Sequence, residues 1–141
     1  MEFPKRKKNR LKGYNYSQNG AYFLTICAKN RLELFTTKHP PLGLTDIGRT
    51  IEVAIRRISQ TYPHVCVDKY IIMPDHVHII LVFNKQQFAG PPLQTLVGNM
   101  KRFVSMESGF SVWQKSFYEH IIRNEEDYLK ILHYIETNPQ K

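Results

Sequence analysis

Ile71 to Phe83 reads IIMPDHVHIILVF, an apolar run broken once by Pro74-Asp75 and carrying two histidines two residues apart. Few features constrain a fold more. Pro74-Asp75 predicts a turn, and the aliphatic residues on either side predict two antiparallel strands joined by it, the second of them buried. Successive side chains of a strand point to opposite faces. His76 and His78 therefore share one face, roughly 6.6–6.8 Å apart along the chain, with Val77 on the other. Two imidazoles so placed are either core histidines with hydrogen-bond partners or a grip for one metal ion. A core gains nothing from adjacent groups that repel when both are protonated, which puts the two readings on an equal footing.

Other segments supply the rest of a fold. Ala21 to Ala28 (AYFLTICA) is rich in aromatic and β-branched residues and predicts a first strand, followed by a loop with Pro40, Pro41 and Gly43. Thr45 is placed to cap a helix from Asp46 to about Tyr62, where Ile47, Ile51, Ala54, Ile55 and Ile58 recur at helical spacing and Pro63 stops it. Val65 to Met73 predicts the second strand. Gly90-Pro91-Pro92 precedes a second amphipathic helix from Leu93 to about Ser108, ended by Gly109. A fourth strand is expected within Val112 to Ile122, and Asn124 caps a last helix from about Glu125 to Asn138, before Pro139. The order β-α-β-β-α-β plus a helix predicts an α+β, ferredoxin-like (split βαβ) antiparallel sheet with two helices on one face. The other face is left for a ligand or the last helix. Such a fold names no function by itself.

The chain of 141 residues is expected to form one domain, residues 21–141, behind a basic N-terminal arm, residues 1–20. Lysine and arginine outnumber aspartate and glutamate by 20 to 12, a formal charge of +8, which argues for a polyanionic partner, nucleic acid first. A membrane partner is not expected, because no stretch approaches the roughly 20 apolar residues of a span. No secretory signal is visible, so a cytoplasmic location is expected. Cys27 and Cys66 fall in strand-like apolar runs and read as small hydrophobes, too few for a disulfide framework. The arm mixes cations (Lys5, Arg6, Lys7, Lys8, Arg10, Lys12) with aromatics (Tyr14, Tyr16), a mix suited to following a backbone and stacking a base. Deleting residues 1–12 is expected to weaken DNA binding and flatten its salt dependence, because fewer counterions are released. An unchanged slope of log affinity against log salt would make the arm a bystander. Lys101, Arg102 and His120 are further candidates to meet DNA.

On the last helix Tyr128, Leu132 and Ile135 form an apolar stripe with Ile131 at its edge, while Tyr134 lies about 100° from Ile135, off the stripe's centre. Asn138 follows Tyr134 by one turn on the same side. A phenol is a poor nucleophile at neutral pH unless a divalent ion or a basic cleft favours its anion. The segments PDHVHIILV, FYEHIIRNEEDYLKILHYIETNP and RLKGYNYSQNGAYFLTICAKN, in this order and spacing, resemble the HUH-type single-tyrosine transposases, in the branch of REP-associated tyrosine transposases. The resemblance covers residues 10–139. It implies a ferredoxin-like nuclease of prokaryotic, nucleoid-associated activity that cuts single-stranded DNA beside a hairpin, using a divalent metal ion (Mg²⁺ or Mn²⁺) and a tyrosine that becomes joined to the 5′ phosphate. By position, His76 and His78 correspond to the metal-binding pair, Asn138 to the third, polar ligand and Tyr134 to the nucleophile. Relatives from insertion sequences act as dimers with shared active sites, so a homodimer is a possibility that the resemblance carries.

Two rival readings remain at this level. One is a domesticated, non-cleaving hairpin-DNA-binding module of the same fold. The other is an unrelated metal-dependent hydrolase, disfavoured because no carboxylate is placed as a general base unless Asp75 serves.

Overall fold

The structure, a computed structural model, describes residues 20–84 and 90–137. The basic arm, with Lys5, Arg6, Lys7, Lys8, Arg10, Lys12, Tyr14 and Tyr16, and also Asn138 lie outside the described residues. The elements follow as β1 (Ala21–Cys27), α1 (Asp46–Thr61), β2 (Val65–Ile72), β3 (His76–Phe83), α2 (Leu93–Ser108), β4 (Tyr118–Ile121) and α3 (Glu125–Thr137). The strands form one antiparallel sheet in the order β2-β3-β1-β4, the ferredoxin-like arrangement.

Alternation along β1 and β3 sorts the core into two layers. Leu24, Ile26, Val77, Ile79, Leu81 and Phe83 pack with Ile51 and Ile55 of α1 and Leu96, Val97, Met100 and Val104 of α2. Phe23, Ile80 and Val82 face the other way, onto Tyr128 and Ile135 of α3. The last helix thus takes the sheet face that α1 and α2 leave open. β3 is covered on both faces from Val77 to Phe83, and each fully buried aliphatic side chain there contributes about 1.5–3 kcal/mol.

Local chemistry sets the ends of the helices. The Thr45 hydroxyl accepts a hydrogen bond from the Gly48 N–H (3.1 Å), and the Asn124 side-chain oxygen accepts one from the Asp127 N–H (2.8 Å), which satisfies a free donor at each helix start. Gly109 closes α2 in the left-handed region (φ 85°), where a side chain would be strained. The hairpin between β2 and β3 closes with the Met73 N–H donating to the His76 carbonyl.

The fourth strand lies within the expected residues 112–122, and the second carries an irregularity. The fourth strand is only Tyr118–Ile121, and Trp113, inside the stretch expected to hold it, makes just an isolated bridge to Ala28. β2 is also bulged: Val67 pairs with Leu81 and Lys69 with Ile80, so Asp68 is an extra residue in the ladder. The bulge turns Asp68 and Lys69, neighbours in sequence, toward α3 together. Tyr128 donates its hydroxyl proton to the Asp68 carboxylate across 2.7 Å, both groups being buried, and Lys69 pairs with Glu136 at 3.6 Å. These ties fix α3 along the sheet. Asp68→Ala leaves the buried phenol without this acceptor and is expected to lower unfolding stability by about 1–3 kcal/mol. A denaturant midpoint unchanged from wild type would show that apolar packing alone seats the helix.

Candidate active site

His76 opens β3 and His78 follows on the same face, opposite Cys27 and Thr25 of β1 in the ladder. Their rings converge, with the two Nε2 atoms 3.2 Å apart. The other nitrogen of each ring is held. His76 Nδ1 meets the Asp75 carboxylate at 2.7 Å, and His78 Nδ1 meets the Thr25 hydroxyl at 3.0 Å. Asp75 in turn accepts from Arg31 Nε at 3.0 Å. Arg31 sits in a 3-10 turn (Lys29–Arg31) right after β1 and takes a left-handed conformation (φ 54°), as does Asn30 (φ 57°), a conformation that costs a residue with a side chain roughly 1–2 kcal/mol. That turn delivers the guanidinium to Asp75.

Protonation follows from these contacts. Burial alone would raise the pKa of Asp75, but the hydrogen bonds from His76 and Arg31 outweigh it and hold the carboxyl below its ordinary value. An ionised carboxylate only accepts, so His76 donates to it from Nδ1. Burial, reinforced by repulsion from His76, pushes His78 down to about 4, so this ring is neutral near pH 7. Thr25 can donate or accept. If it accepts from His78 Nδ1, the His78 Nε2 lone pair faces His76 Nε2, and a proton or a metal ion lies between the two nitrogens. If it donates, a proton on His78 Nε2 bridges the gap.

This donor set fits a divalent ion. Two ligand atoms about 2.1 Å from one ion, at an angle between square and tetrahedral, lie roughly 3.0–3.4 Å apart, which brackets the observed 3.2 Å. Histidine ligands are ordinarily oriented by a carboxylate or hydroxyl on the far nitrogen, as Asp75 and Thr25 do here. Among the described residues no third histidine, cysteine, aspartate or glutamate joins the pair.

Tyr134 stands beside the histidines. Its ring centroid lies 5.5 Å from that of His78 and 6.4 Å from that of Phe23, and Phe23 itself stacks on His78 at 5.1 Å. The side chain is 48% exposed, whereas Tyr128, six residues earlier, is 2% exposed and bound to Asp68. One sheet face of one chain therefore brings together an imidazole pair and an accessible phenol.

No protein-family model matches this chain, but individual relatives do. A candidate REP-associated tyrosine transposase of Haemophilus influenzae is 29% identical, over 90% of this chain and 74% of its own. The REP-associated tyrosine transposase of Escherichia coli is 26% identical, over 89% and 70%. Over most of its length this chain is similar to REP-associated tyrosine transposases. A REP-associated tyrosine transposase solved bound to a REP hairpin shares the fold, with a TM-score of 0.68 at 24% identity over 85% of this chain and 66% of that one.

The remaining candidate residues fall in different places. His120 pairs with Phe23 across β1 and β4, donates to or accepts from Asp127 at 2.9 Å, and lines a hollow with Tyr134. Lys101 and Arg102 ride on α2, which packs on the sheet face opposite the histidines. The Lys101 ammonium is bound by the carbonyls of Gln114 and Lys115, and burial lowers its pKa; Arg102 reaches Asn99. Neither joins the His76 site. Cys27, expected as a small hydrophobe in a strand, is half-buried on the histidine face. The orienting roles of Thr25 and Arg31 were missed in sequence, where nothing in the local pattern marks them. No helix among the described residues is long and apolar enough to cross a membrane.

Proposed function

We propose that this chain is a single-stranded DNA endonuclease and strand transferase acting beside hairpins, with Tyr134 as the nucleophile. The observation that supports this most is the convergence of His76 and His78 Nε2 at 3.2 Å with the half-exposed Tyr134 ring beside them. Likeness to REP-associated tyrosine transposases supports a transposase role, and a similar protein solved with a REP hairpin supports DNA as the partner. His76 and His78, with Asn138 as the third ligand, are the residues that would hold Mg²⁺ or Mn²⁺. When bound, that ion supplies electrophilic activation of the scissile phosphate.

The chain's own residues do the rest. Asp75 and Thr25 keep both imidazoles oriented, and burial keeps His78 neutral. Tyr134 Oη forms the new bond to phosphorus and its proton passes to solvent. The bond to the 3′ oxygen breaks, and that oxygen leaves and takes up a proton. The phosphotyrosine keeps the energy of the broken ester, so attack by another 3′ hydroxyl rejoins DNA and frees the tyrosine. The histidines and Tyr134 come from one chain, so a second copy is not required to assemble them.

Incubating the protein with hairpin-bearing single-stranded DNA and Mn²⁺ or Mg²⁺ is expected to give a covalent adduct on a denaturing gel, absent with chelator. Tight binding with no adduct under any divalent ion would favour the non-cleaving hairpin-binding module. Asp75→Asn tests the orienting contact: an amide can donate to His76 Nδ1, which moves the ring proton to Nε2 and blocks a ligand. Mn²⁺ affinity is expected to fall about 10–100-fold with the thermal midpoint nearly unchanged. Wild-type affinity in that variant would reduce Asp75 to an anchor for Arg31.

A further inference from the structure

Tyr134 borders two things: the histidine pair, and a hollow of about 260 Å³ on the β4 side lined by Phe23, Tyr118, His120, Lys130 and Ile131 besides itself. We infer that this hollow is a subsite for one unpaired nucleotide of the DNA strand, with its base on Tyr118 and its phosphate at Lys130. The inference rests on the function proposed above and adds the position of one nucleotide of the strand and the residues that hold it.

The lining residues argue for this occupant. Phe23 is buried and Ile131 partly so, which gives an apolar floor, while Tyr118 is 59% exposed. An aromatic face left in water beside an apolar floor suits the π-face of a base, and stacking tolerates any base. A hairpin stem cannot use such a platform, because its base faces are already stacked inside the duplex. Lys130 is 75% exposed and pairs with Glu126 at 3.9 Å, a loose pair that leaves the ammonium able to meet a phosphate. His120 is held on Asp127 through Nε2 and lines the same hollow.

Continuity and charge limit the size of the site. On β1 the row Tyr118–Thr25–His78 runs straight across the sheet, so a strand with one phosphate between Tyr134 and His78 next meets Tyr118 on its way over β4. Beyond it lies the acidic first turn of α3, Glu125, Glu126 and Asp127, which repels a second phosphate. One nucleotide fills the space between.

The test is binding of three fluorescent DNAs by the full chain in chelator, where no cutting competes: a blunt hairpin, the same hairpin with a single-stranded flank, and the flanked hairpin with abasic flank positions scanned one at a time. Wild type is expected to bind the flanked hairpin more tightly than the blunt one and to lose the gain at one abasic position. Tyr118→Ala is expected to weaken the flanked probe about 5- to 150-fold, leave the blunt probe unchanged and become insensitive to the abasic substitution, with Tyr118→Phe restoring the gain. Lys130→Ala should lower the salt slope on the flanked probe by about one charge. Equal weakening of both probes by Tyr118→Ala, or no weakening of either, overturns the subsite. A missing covalent adduct overturns cleavage instead, and flank-dependent binding would still support the subsite. A wild type that binds neither probe overturns both.

Discussion

Tyr134→Phe is expected to fold, to bind divalent metal and hairpin DNA as wild type does, and to form no covalent adduct. The substitution removes one oxygen from a half-exposed ring whose face contacts, to His78 and Phe23, are those of the aromatic system and survive in phenylalanine. Loss of the nucleophile leaves the uncatalysed reaction, so the fall should exceed a thousandfold. Tyr128→Phe is the matched control. Its phenol is bound to Asp68 in the core, so this change should cost about 1–3 kcal/mol of stability while adducts still form. Mass spectrometry that places DNA on Tyr128, or an active Tyr134→Phe protein, would overturn the assignment.

His76→Ala and His78→Ala should each abolish cleavage and leave most hairpin affinity in place, because affinity comes mainly from phosphate contacts while the imidazoles act on the reacting phosphate. Parallel loss of binding and cutting would instead identify a structural pair. The two variants should differ in stability. His78 is 3% exposed and its ring stacks on Phe23, so His78→Ala opens a cavity, whereas His76 stands at the hairpin end and is less enclosed.

Acid separates them further. In metal-free protein the pKa of His78 is pushed down to about 4 against an ordinary 6.5. Above pH 6.5 both folded and unfolded states are neutral at this ring and it has no effect. Between 6.5 and about 4 the unfolded state binds a proton that the folded state refuses, so stability falls by about 1.4 kcal/mol per pH unit from this residue, on the order of 3 kcal/mol in all. The slope of stability against pH across that window should be shallower by about one proton in His78→Ala, read from chemical denaturation in chelator. Equal slopes would mean that His78 is not the group that resists protonation.

Much of the fold follows from short-range chemistry. Alternation in Ala21–Cys27 and His76–Phe83 gives two central strands with one face for each layer, and the placement of both histidines on a single face follows from the same period of two. Thr45, Asn124 and Gly109 mark helix ends because capping and left-handed backbone are properties of one residue and its near neighbours. The angle between Tyr134 and the apolar stripe of the last helix is likewise set by 100° per residue. What the tertiary structure decided is who meets whom. Thr25 orients a histidine 53 residues away and Arg31 holds an aspartate 44 residues away, partnerships that no local period encodes. The bulge at Asp68 reverses the face of every later residue in β2 and gives Tyr128 its partner, an outcome set by the register against β3 and not by the strand's own alternation. Lys101 ends on the far side of the sheet and Cys27 on the histidine side for the same reason: charge and hydrophobicity are written residue by residue, but the side of a sheet a residue occupies is settled only when the strands pair.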